Sequence, residues 1–77
     1  MDPRELRRLE SMTAQHPEIE ELLAQHRAFE LELDEFASRR WLTPTERADE
    51  ARLKRLKLAG RDRMQQLLDR AATNASA

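Results

Sequence analysis

Residues 17–40, PEIEELLAQHRAFELELDEFASRR, carry the pattern that decides the fold. Ile19, Leu22, His26, Phe29, Leu33 and Phe36 follow one another at steps of 3, 4, 3, 4 and 3. That spacing is a heptad seam, with Ile19, His26 and Leu33 at a positions and Leu22, Phe29 and Phe36 at d positions. A single apolar stripe needs a second helix to bury it. The first turn carries Glu18, Glu20 and Glu21, and the end carries Arg39 and Arg40, each favourable against the helix dipole.

Downstream, the link SRRWLTPTE turns the chain. Thr43 as N-cap, Pro44 at the first helical position and Glu46 three residues on make a capping box. The second helix is expected over 44–70, with a stripe of Leu53, Leu56, Gly60, Met64, Leu67 and Ala71. The link is short, so the two helices are expected to be antiparallel neighbours. In that register Leu33 meets Leu53, His26 meets Gly60, Leu22 meets Met64, Ile19 meets Leu67, and Phe29 lies near Leu56. A glycine in mid-helix is costly, so Gly60 is expected to make room for the imidazole. Residues 71–77 have no seam and are expected to fray.

Upstream, Asp2 as cap and Pro3 at the first position start a short helix over about 3–14, with Leu6, Leu9 and Met12 at helical spacing. Pro17 interrupts it and restrains His16. His16-Pro17 reads as an elbow, with one long kinked helix as the alternative.

The chain has 77 residues, 38% of them charged and 4% aromatic, with one Gly and no Cys. This is one small all-α domain, an antiparallel, coiled-coil-like helical hairpin with a short N-terminal helix. A core of this size rarely supplies more than roughly 3–5 kcal/mol, and no disulfide can add to it. Assembly into a four- or six-helix bundle is the expected remedy.

The net charge of −1 gives no global attraction to nucleic acid or anionic lipid. No apolar run approaches a membrane span, and MDPRELRRLE lacks the apolar core of a signal peptide. A cytoplasmic location is expected. Residues 17–40 hold seven acids and three arginines, net −4, while 41–72 hold eight bases and five acids, net +3. An acidic helix beside a basic one selects partner and register.

Leu31 and Leu58 lie off their stripes and, with Trp41 at the turn, are candidate interface residues. Trp41 either caps the end of the core or is a contact for a partner. His26 reads as a polar seam position that sets register or oligomer state. The two histidines match no metal motif, no serine lies in a nucleophile elbow, and one glycine makes no phosphate loop. No catalytic residue, metal ligand, cofactor or small-molecule substrate is expected. The basic run Arg52, Lys54, Arg55, Lys57, Arg61 and Arg63 is the alternative lead, a nucleic-acid patch. Yet Lys54, Lys57 and Arg61 flank one side of the stripe and Arg52 and Arg63 the other, as snorkelling stripe-edge residues do, and no exposed aromatics interleave them.

LKRLKLAGRDRM, residues 53–64, resembles the Leu-Lys-Lys-x-Arg-Leu-x-Leu-Lys-Asp-Glu-Ile signature of the YdcH-like family of small bacterial proteins. Leu53, Lys54, Leu58 and Asp62 match, and Arg55, Lys57, Arg61 and Met64 are conservative replacements. Gly60 stands where that family has Leu, and Arg63 where it has an acid. The resemblance extends to Pro3, His16-Pro17, His26, Phe29 and Leu33. It implies a cytosolic helical hairpin with no assigned activity, and it makes Leu58 a family feature. The function expected is a non-enzymatic helical interaction module that self-associates through Leu58, Leu31 and the stripe edges, or binds another protein.

Overall fold

Asp2 opens the first helix by accepting a hydrogen bond from the Arg4 N–H at 2.9 Å. With Pro3 in the first position, α1 spans Pro3–Met12. The computed structural model describes residues 2–76. Helix α1 stops two residues short of the expected end. The Thr13 hydroxyl donates to the Glu10 carbonyl at 2.8 Å, and the Gln15 and His16 N–H groups both close on the Met12 carbonyl. That winds the chain off the helix ahead of Pro17, where the backbone of His16 (φ −132°, ψ 86°) lies outside the helical region that a following proline disfavours.

Helix α2 spans Pro17–Ala37, three residues shorter than expected. The Ser38 hydroxyl donates to the Glu35 carbonyl at 2.7 Å. Arg39 leaves the helix to pair with Glu46, with its guanidinium carbon 5.7 Å from the centre of the Phe36 ring. The capping box at the next helix is complete: the Glu46 N–H donates to the Thr43 hydroxyl and the Thr43 N–H to the Glu46 carboxylate, both at 3.1 Å. Helix α3 spans Pro44–Ser76. It therefore continues through 71–76, where a frayed tail was expected, while Ala77 lies outside the described residues. Alanine is the best helix former, and 71 and 72 are both alanine. Thr73 adds a back-bond to the Asp69 carbonyl at 3.0 Å.

Among the described residues there are three helices and no strand. At about 1.5 Å per residue, α3 is about 50 Å long, which matches the 51 Å long axis of the molecule. The radius of gyration is 15.1 Å, against roughly 11–12 Å for a compact domain of this length. The molecule is thus a rod with α3 as its spine. Helix α2 packs along α3, and the ion pairs Arg39–Glu46, Glu30–Lys57 and Glu18–Arg63 climb α3 as they descend α2.

The core sits at one end of this rod. Leu9, Ile19 and Met64 are fully buried, Leu23, Leu67 and Leu68 nearly so, and Leu6, Met12 and Leu22 pack against them. Here α1 lies on the pair, so three helices enclose the apolar side chains. At the other end only two helices meet. Phe29, Leu33, Phe36 and Leu53 are half-buried there, and Leu56 is 41% exposed.

Gly60 departs from the expectation. A Cβ at this position meets none of the described residues within 4 Å, so the glycine makes no room for the His26 imidazole. Its φ is ordinary. Gly60→Ala is therefore expected to stabilise the fold by about 1 kcal/mol, the intrinsic helix preference of alanine, as measured by denaturant unfolding.

Candidate interaction surface

The α2–α3 pair has two unlike sides. Counting about 100° per residue, Phe29, Glu32 and Phe36 lie on one side of the His26 direction, and Leu23, Arg27 and Glu30 on the other. On α3, Arg52, Leu56 and Arg63 share the first side. Lys54, Lys57, Arg61 and Leu68 share the second.

Helix α1 lies on the second side. Its Glu10 reaches Arg27 at 3.5 Å, and Glu10 and Thr13 border a shallow cleft with Leu23, Ala24 and Arg27. Past the end of α1, that side opens into a cleft lined by Leu33, Lys54, Lys57, Leu58 and Arg61. Among the described residues the first side carries no third helix. Near the turn it holds a cleft floored by Phe29, Phe36, Leu53 and Leu56 and edged by Glu32, Asp49 and Arg52.

The charges that join α2 to α3 are specific. Arg63 donates two hydrogen bonds to the two Glu18 carboxylate oxygens, at 2.8 and 3.1 Å. This bidentate contact holds the Glu18 carboxyl below its ordinary range and raises the guanidinium of Arg63. Glu30 receives His26 Nε2 at 2.8 Å and Lys57 Nζ at 3.7 Å on the same oxygen. His26 is only 9% exposed, and its Nδ1 is buried with no hydrogen-bond partner among the described residues. A seam position with an unsatisfied buried nitrogen is destabilising relative to a leucine.

The structure scatters the candidate interface residues. Leu31 and Trp41 are 72% and 73% exposed, and Leu58 is 56% exposed. Leu31 and Leu58 each sit about 140–160° from their helix's seam, so they point away from the pair on its two outer faces and make no common patch. Leu58 borders the cleft with Leu33, while Trp41 stands in the link. The basic run divides as its spacing implies. Lys54 lies 3.7 Å from Glu50, and Lys57 and Arg63 pair with Glu30 and Glu18. Arg52 and Arg61 edge opposite clefts, and Arg55 is exposed.

Leu23 and Leu68 belong to the core although they are absent from the stripes read in the sequence. Each follows a stripe residue, Leu22 or Leu67, by one position and faces the side on which α1 docks. Adjacent leucines in two facing helices are the signal that a third helix widens the stripe.

Among the described residues no group of three metal-capable side chains converges, and no helix is long and apolar enough to cross a membrane. What the surface offers is two open clefts with apolar floors and charged edges, on a frame held by ion pairs. No protein-family model matches the chain, and neither a curated protein nor a solved structure shows significant similarity to it.

Proposed function

We propose that the chain is a non-enzymatic, cytoplasmic helical interaction module. In this reading α2 and α3 form an antiparallel hairpin of coiled-coil character, and copies of it assemble into a helical bundle. One observation carries the reading: half of the α2–α3 pair lacks a third helix, leaving Phe29, Phe36 and Leu53 half-buried and Leu56 exposed. Apolar floor of that kind is stabilised by a further helical layer. The resemblance to the YdcH-like family supports the hairpin and the absence of an assigned activity. Leu31, Leu58 and Trp41 remain as contacts for a further protein outside the bundle.

A nucleic-acid role for α3 has less support. Lys54, Lys57 and Arg63 already pair with acids of the chain, and the basic residues face two sides rather than one.

Folding coupled to assembly makes stability depend on concentration. Helical melting followed by circular dichroism over a hundredfold range of concentration is expected to show a rising Tm. A Tm that does not move with concentration would contradict self-association.

A further inference from the structure

We infer that a second copy of this chain seats on the Phe29–Phe36–Leu53–Leu56 cleft, about a two-fold axis running along the helices, with Glu32 of each copy against Arg52 of the other. This rests on the self-associating module proposed above and names its face and geometry.

Sterics choose the side. Helix α1 stands on the side of Leu23, Arg27 and Leu68, so two copies cannot lie flush there. Among the described residues no third helix stands on the side of the cleft, and the cleft floor is apolar.

Charge chooses the axis. Two copies packed face to face are related by an axis lying in the contact plane, either across the helices or along them. An axis across the helices sets α2 on α2 and α3 on α3. Residues 17–40 carry net −4 and 41–72 net +3, so that arrangement stacks acid on acid and base on base. An axis along the helices sets α2 of each copy on α3 of the other, antiparallel, with opposite charges facing twice. Such complementarity fixes register and suppresses the wrong pairing.

The edge of the cleft fits the same axis. The pairs Glu30–Lys57 and Arg39–Glu46 put residue 32 of α2 level with residue 53 of α3 to within a turn. Rotation along the helices then carries Arg52 of one copy over Glu32 of the other, and the reverse. Within one chain Glu32, Asp49 and Arg52 make no ion pair or side-chain hydrogen bond with the described residues. Their charges are therefore available across the contact.

The test uses Glu32→Arg and Arg52→Glu, alone and mixed. Both positions are exposed in the single chain, and helicity by circular dichroism checks that each variant folds. Each alone sets like charges against each other at both symmetric positions, and its dimer is expected to dissociate at least about tenfold more readily than the wild type. In an equimolar mixture, the new arginine of the first variant meets the new carboxylate of the second. At the symmetric contact, Arg52 of the first variant meets Glu32 of the second. Sedimentation equilibrium is expected to recover a dimer, and native mass spectrometry to show it as the mixed species. An effect confined within one chain would not be rescued by mixing. Variants that dimerise as the wild type does, or a mixture no tighter than its components, would overturn this geometry while leaving self-association standing. A wild-type chain that stays monomeric would overturn both, and would leave the cleft to a different protein.

Discussion

Leu9→Ala is expected to lower the folding stability by about 2–5 kcal/mol, the usual cost of truncating a fully buried leucine. Leu9 has no exposed surface and lies in the cluster with Ile19, Leu23, Met64, Leu67 and Leu68. It is the anchor of α1, whose other apolar residues, Leu6 and Met12, are only partly buried. If α1 lifts away, Leu23 and Leu68 lose their cover, and each fully exposed leucine costs roughly 1.5–3 kcal/mol. A core this small supplies roughly 3–5 kcal/mol in all, so the variant is expected to unfold largely at room temperature. Leu31→Ala, at a position 72% exposed, is expected to stay within about 0.5 kcal/mol of the wild type. Urea unfolding of the two variants checks the contrast. Equal losses would mean that the core does not sit where α1 docks.

The second large effect concerns assembly. Leu56→Glu puts a carboxylate on the floor of the uncovered cleft, beside Phe29 and Leu53. In a dimer that contact is dry, and an unpaired buried charge there is strongly unfavourable. Self-association is expected to weaken at least about tenfold, while the monomer changes little, because Leu56 is already 41% exposed in it. Leu58→Glu is the comparison. Leu58 lies on the opposite side, between Lys54 and Arg61, where a carboxylate meets cations and no second copy. It is expected to leave the dimer intact. Sedimentation velocity of the two variants at matched concentrations separates them. A monomeric Leu58→Glu beside a dimeric Leu56→Glu would move the interface to the other face.

The two ends of the rod also mark what could be read in the sequence. Helix starts are legible because capping is local: Asp2-Pro3 and Thr43-Pro44-Thr45-Glu46 carry their own donors and acceptors. Helix ends are less so. Arg39 leaves α2 and pairs with Glu46 across the link, a contact no local pattern announces, and the alanines that continue α3 also suit a loose tail. The seam at Ile19, His26, Met64 and Leu67 follows from periodicity, and these residues are buried. Periodicity of two helices is blind to a third, so Leu23 and Leu68 escape it. Gly60 shows the limit of pairing by register: facing a polar residue in the pattern does not place a glycine within its reach. Leu31 and Leu58 look alike as off-stripe leucines, and only the packed pair shows that they face apart.

Self-association is the central claim, and the mass of the wild-type chain in solution tests it most directly. Sedimentation equilibrium is expected to give twice the 9.1 kDa of a single chain, shifting toward the monomer on dilution. A mass that stays at that of one chain, at the highest concentration that remains in solution, would contradict the account.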